Sequence, residues 1–90
     1  MTDPLGIKVV GKLGEELGEL QAAAMRCLIQ GIKEKEPVTG KPNKQWLEEE
    51  VADVLANLEM LREYFDLSVS SIVARRERKI QHLRAWHKMT

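Results

Sequence analysis

WLEEEVADVLANLEML, Trp46 to Leu61, sets apolar residues at 47, 51, 54, 58 and 61 with carboxylates between them. Steps of three and four residues are the helical period. The stripe they draw, widened by Leu55, predicts a helix from about Lys44 to Phe65. Upstream, Leu13, Leu17, Leu20, Ala24 and Leu28 repeat the same steps. They predict a helix that begins near Leu5 to Lys8 and ends at Gln30, with Gly31 as its stop. Gly11, Gly14 and Gly18 fall inside this segment, and each costs about 1 kcal/mol relative to alanine, so its early part is expected to be irregular. Downstream, Asp66, Leu67 and Ser68 break the pattern. Ser68 is a suitable N-cap for a third helix over Val69 to Lys88, whose thinner apolar face is Ile72, Ala74, Ile80, Leu83 and Trp86.

Between the first two helices, Pro37, Gly40 and Pro42 mark a loop over residues 31–43, with Asn43 placed to cap the second helix. The loop is long for a connection between packed helices, which points to a functional or mobile segment. No stretch alternates with the period of a strand. The expected class is all-α: an antiparallel helical bundle of about three main helices, in a single domain over residues 1–90.

A chain of 90 residues buries only about two-thirds of its unfolded surface, and Cys27 is its one cysteine, so no disulfide can reinforce it. Oligomerisation, as a homodimer or a dimer of dimers, or a bound metal is the expected remedy. MTDPLGIKVV lacks the basic start and long apolar core of a signal peptide, and no apolar run nears the roughly 20 residues that span a bilayer. A cytoplasmic protein with no membrane partner is expected.

The net charge is zero but unevenly spread. Leu13 to Asp66 holds twelve acidic and six basic residues, whereas Leu67 to Thr90 holds one acidic and six basic. Such halves either pair with each other or serve a metal and a phosphate separately.

Within the acidic half, Glu16 and Glu19 are three apart, as are Glu50 and Asp53. Residues at that spacing share a helix face with Cβ atoms about 5–6 Å apart. If the two helices pack antiparallel, the pairs face each other, and four converging carboxylates stay ionised only around cations. Hard oxygen ligands on a helical frame suit Mg²⁺ or Mn²⁺. Gly14 and Gly18, lacking side chains, would let a partner helix or a ligand approach the backbone. Glu34, Glu36 and Glu48 read as solvated charge.

EELGE (Glu15 to Glu19) followed by EVAD (Glu50 to Asp53) resembles the signature of the MazG-like all-α nucleoside triphosphate pyrophosphohydrolases, EExxE, a spacer, then ExxD. The resemblance spans roughly Lys8 to Trp86 and includes the apolar run VLANLEML and a basic third helix. It implies Mg²⁺ held by Glu16, Glu19, Glu50 and Asp53. It further implies hydrolysis of a nucleoside triphosphate between its α and β phosphates, with Glu15 or Glu19 as the base. Clearing surplus or noncanonical nucleotides, deoxynucleotides above all, is the implied purpose. Two departures stand out. The spacer is long, and ARRERKIQHLRAWHK replaces the lysine, asparagine and tyrosine that many members carry late in the third helix. Lys79 is the best match to a phosphate-contacting position, with Arg76 next.

Other residues read two ways. Trp46 either stacks on a base or anchors the core. Asn57, one turn beyond Asp53, either hydrogen-bonds a nucleotide or is a polar residue at a helix boundary. Lys41 and Lys44 reach phosphates or merely solubilise the loop. Trp86 is expected to pack the last helix, and His82 and His87, five apart, lack the further ligands of a zinc site. The rival function is a non-catalytic helical module that binds nucleic acid or a protein through its basic third helix. On the enzyme reading, nucleic acid is not an expected partner.

Overall fold

The computed structural model describes residues 1–89 and contains three helices: α1 (Pro4–Gln30), α2 (Asn43–Phe65) and α3 (Val69–Trp86). Asp3 starts α1, its Oδ1 accepting the Leu5 N–H at 3.2 Å, and Pro4 comes next, where its missing N–H is harmless. Contrary to the irregularity expected from its glycines, α1 is continuous. Packing along α2 outweighs the local propensity. α1 ends at Gly31, whose φ of 105° excludes residues with a Cβ and whose N–H reaches the Cys27 carbonyl.

α1 and α2 run antiparallel and are the only helices in extensive contact among the described residues. At one end Tyr64 donates its hydroxyl to Asp3, and Phe65 lies so close to Gly6 that an added Cβ would meet its ring at 3.2 Å. At the other end, Asn43 joins the helices. It was expected to cap α2; instead Pro42 stands at the cap and Asn43 is the first helical residue, almost fully buried. Its Nδ2 donates to Gln30 Oε1 at 3.1 Å and to the Gly31 carbonyl at 3.0 Å, and its own carbonyl receives the Cys27 thiol at 3.8 Å.

The connecting loop is internally bonded. Glu36 accepts from the Val38 N–H at 3.0 Å and from the N–H and hydroxyl of Thr39 at 2.7 Å each, and Lys35 bridges antiparallel to Pro42. Glu36, expected to be solvated charge, is thus the residue that shapes the turn. Those donors, Thr39's backbone first, hold its carboxyl below the usual range.

The face each helix turns to the other also differs from the expected stripe. Between the two ends, the covered positions that recur at helical spacing are Leu13, Glu16, Leu20, Ala23 and Cys27 on α1, and Leu47, Glu50, Val54, Asn57 and Leu61 on α2. Of these only Ala23 and Val54 are fully buried apolar residues. Leu17, Leu28, Val51, Leu55 and Leu58 are exposed. By helical phase, these five lie to one side of the seam, while Glu15, Glu19 and Asp53 lie to the other. The hairpin therefore has an apolar broad side and an acidic one. An alanine at Gly11, Gly14 or Gly18 would meet nothing within 4 Å, so within the chain no helix approaches there.

α3 begins as expected, with Ser68 Oγ accepting the Ser71 N–H at 3.1 Å, but it stops at Trp86, short of Lys88. None of its residues is buried, and Trp86 is exposed, edge-on to His87, rather than packed. A gap of about 330 Å³ separates its start from Leu55, Leu58 and Leu61 of α2. The radius of gyration is 16.0 Å, where a compact chain of this length has about 12 Å. The accessible surface of 7138 Å² exceeds by about 1,800 Å² the value usual for a monomer of this mass. No helix among the described residues is long and apolar enough to cross a membrane.

Asn43→Ala removes both bonds that tie the start of α2 to the end of α1. It is expected to lower stability by about 2 kcal/mol in urea denaturation, whereas Lys44→Ala, one residue on and exposed, should change it little.

Candidate metal centre

Glu16 is the pivot of the acidic side. It occupies a seam position, with about a tenth of its side chain exposed. Ligand oxygens of Glu15, Glu16 and Glu19 come within 4.8 Å of one another, and so do those of Glu16, Glu50 and Asp53. Of the four carboxylates expected to hold a cation, Glu16, Glu50 and Asp53 are therefore brought together, while Glu19 groups with Glu16 and Glu15. The cause is geometric. On each helix the three-residue spacing keeps one acid in the seam and turns the other to its acidic flank.

One oxygen of Glu16, Oε1, is 3.3 Å from Lys12 Nζ, which also hydrogen-bonds Glu15 at 3.3 Å. The other, Oε2, is buried without a hydrogen-bond partner, and the same is true of Glu50 Oε2. A buried carboxylate oxygen with no donor is costly unless a cation supplies what the protein does not. That pair of orphaned oxygens, in an all-oxygen donor set, fits a hard divalent ion such as Mg²⁺ or Mn²⁺. Hydrogen bonding with Glu16, then repulsion from Glu16, holds the Glu19 carboxyl above the ordinary range, with smaller effects from burial, Glu50 and Glu15. Lys12 is held more firmly protonated by Glu15 and Glu16.

Trp46 stands beside the cluster, at a cavity of about 320 Å³ lined also by Glu19, Glu50, Ala22, Ala23 and Arg26. Lys41 Nζ lies 3.9 Å from the centre of its ring and Arg26 Cζ 5.5 Å, both within cation–π reach. Lys41 also pairs with Glu49, whose carboxyl is thereby held low. Asn57 is half-buried in the seam, but its Nδ2 donates to the Asp53 carbonyl at 2.8 Å, one turn back on its own helix. Lys79 and Arg76 lie elsewhere, on the open face of α3 with Ile72, Ile80 and Leu83, and none of the four carboxylates borders that face.

Two cationic neighbours of the cluster were not among the residues expected there. Lys12 precedes Glu15 and Glu16 by three and four residues, and Arg26 lies seven beyond Glu19, two turns along one face. Both spacings are helical and signal a shared face, which is the pattern by which the sequence marks these cations. Compared with protein-family models, with curated proteins and with solved structures, the chain matches none.

The cluster should make stability rise on mild acidification. Because Glu19's carboxyl sits above its ordinary 4.5, the folded chain binds that proton more tightly than the unfolded chain does. Stability then increases as pH falls from neutral through the raised pKa towards 4.5. Further down, the low-held carboxyls of Asp3, Glu36, Glu49 and Glu59 are protonated and stability is lost. Thermal melts from pH 7 to pH 4 without divalent ions check this. Glu19→Gln should raise Tm at pH 7 and flatten the upper part of the profile.

Proposed function

We propose that this chain is a divalent-cation-dependent nucleoside triphosphate pyrophosphohydrolase of the MazG-like all-α type, converting a nucleoside or deoxynucleoside triphosphate to the monophosphate and pyrophosphate. The observation that carries the reading is the convergence of Glu16, Glu50 and Asp53, with Glu19 grouped beside Glu16, and the unpartnered, buried oxygens on Glu16 and Glu50. Their order in the chain, EExxE then ExxD, is the support for the reaction type. A Mg²⁺ or Mn²⁺ ion held there would supply charge neutralisation for the triphosphate and Lewis acidity towards its phosphorus.

The residues divide the remaining work. Glu16, Glu50 and Asp53 would hold the ion, with Glu16 fixed by the seam and by Lys12. Glu15 is engaged by Lys12. Glu19, exposed and bordering the cavity, is the carboxylate we assign to take the proton from the attacking water. Catalysis then rests mainly on positioning and on electrostatic stabilisation of the phosphoryl oxygens. Clearance of surplus or noncanonical nucleotides remains the role suggested by resemblance alone.

A homodimer, or a pair of dimers, completes this reading. The surplus of about 1,800 Å² per chain is of the size that stable dimers bury. The apolar side of the hairpin and the uncovered α3 are the surfaces available for it. Lys79 and Arg76, on a face that none of the four carboxylates borders, would meet the phosphates in such an assembly. The uncovered basic α3 also favours a second reading, a module that binds nucleic acid or a protein without catalysis. That reading predicts salt-sensitive binding of DNA or RNA with no metal requirement.

A panel of NTPs and dNTPs incubated with Mg²⁺ or Mn²⁺ should yield pyrophosphate, and EDTA should stop it. Glu50→Gln and Asp53→Asn should each reduce the rate by about a hundredfold or more while the helical circular dichroism persists. Release of orthophosphate in place of pyrophosphate, or a rate indifferent to both substitutions, would refute the assignment. For the oligomer, Tm should climb with protein concentration, as mass action requires when folding and association are linked.

A further inference from the structure

Cations surround the carboxylates, but most are already engaged. Lys12 pairs with Glu15 and Glu16, and Lys41 with Glu49. Arg26 borders the same cavity as Glu19 and Glu50 and forms no ion pair among the described residues. Its guanidinium lies against the Trp46 ring, 5.5 Å from the centre. Stacking occupies the flat face of a guanidinium and leaves its N–H edge open, so the ring holds the donor fork in place without using it up. Lys41, 3.9 Å from the centre of that ring, adds positive charge at the same end.

Charge decides what such a cavity takes. Glu16, Glu50 and Asp53 together outweigh one divalent ion by a single negative charge. A triphosphate, with about four negative charges of its own, needs a further cation to settle beside them. At about 320 Å³ the cavity is at the small end of ligand sites, so it holds part of a nucleotide. Glu19 and Arg26 are seven residues apart on one face of α1, roughly 10 Å between their backbone attachments. Glu19 is the carboxylate assigned to the water. In-line displacement needs the nucleophile, the phosphorus and the leaving group in that order, and a cation two turns beyond Glu19 stands where the leaving group emerges.

We propose that Arg26 binds the β and γ phosphates of a triphosphate whose α-phosphate lies at the carboxylates, and so receives the departing pyrophosphate. The proposal rests on the pyrophosphohydrolase reading and names a substrate-contacting cation within the same chain. The water oxygen bonds to the α-phosphorus as its proton passes to Glu19. The P–O bond to the β-phosphate bridge breaks, and its electron pair leaves on the pyrophosphate, where the arginine fork pairs with the phosphate oxygens.

Isothermal titration in Mn²⁺ with non-hydrolysable α,β-imido analogues of dTTP and dATP, beside dTMP, dAMP and Mn²⁺ alone, tests this. Arg26→Gln should weaken both triphosphate analogues by about tenfold or more and by the same factor, as loss of a charge-assisted contact requires. Affinity for the two monophosphates and for Mn²⁺ should not change. Arg26→Lys, which keeps the charge and loses the fork, should weaken the analogues less, and Lys41→Met should leave them nearly as in the unaltered chain. Triphosphate binding indifferent to Arg26→Gln overturns the assignment while leaving the metal site and the reaction standing. Equal weakening of the monophosphates, or weakening for one base only, overturns it too, since either places Arg26 elsewhere on the nucleotide. A parallel fall in Mn²⁺ affinity would mark Arg26 as a support of the metal site and likewise overturn it. If the unaltered chain binds Mn²⁺ but no triphosphate, the pyrophosphohydrolase reading fails and the assignment fails with it.

Discussion

A carboxylate in the seam between two helices is the constraint on which the molecule is organised. Glu16 occupies a position that would ordinarily hold a leucine, and Glu50 and Asn57 repeat the substitution on α2. The hairpin consequently has little apolar core of its own, with Ala23 and Val54 its only fully buried hydrophobic residues. Burial of the acids is tolerable because Lys12 satisfies one oxygen of Glu16 and because a cation can satisfy the orphaned ones. Stability and the acidic cluster are thus coupled: the residues that weaken the seam as a core are the ones that gather there.

The same arrangement accounts for the open shape. Apolar residues that would have filled the seam lie beside it, on the broad side opposite the acids, where Leu17, Val51, Leu55 and Leu58 are exposed. α3 has its own apolar line and likewise finds no cover within the chain. Acidic and apolar surfaces are segregated to opposite sides of a two-helix layer. One side exposes carboxylates and the other apolar side chains.

Much of this was legible in the amino-acid sequence, and the limits have physical causes. Helical period, the Gly31 stop, the Ser68 cap and the two carboxylate pairs derive from spacing and residue chemistry alone. Which half of a wide apolar stripe faces the neighbouring helix does not. Leucine at 13, 17 and 20 spans an arc broad enough for either choice, and the seam took Leu13 and Leu20 but left Leu17 out. Asn43 looked like a cap because its side chain suits one, yet burial recruited the amide to two acceptors on the preceding helix. Arg26 was readable as a neighbour of Glu19, but that it lines a cavity with Trp46 depends on how α1 and α2 dock.

The internally bonded connection between α1 and α2 sets the rotational phase of the acids. Each residue added to or removed from a helix turns everything beyond it by about 100°, enough to carry Glu50 from the seam to another face. Glu36 closes the turn and Asn43 clamps its exit, so the count between Gly31 and Asn43 is absorbed before α2 begins. Val38 is 90 % exposed, but its N–H and that of Thr39 are held by Glu36, so added length there costs the turn its own bonds and spares the Asn43 clamp. A peptide tag or a fluorescent reporter threaded in there would leave the two acidic pairs in register, and the same insertion past Asn43 would scramble them.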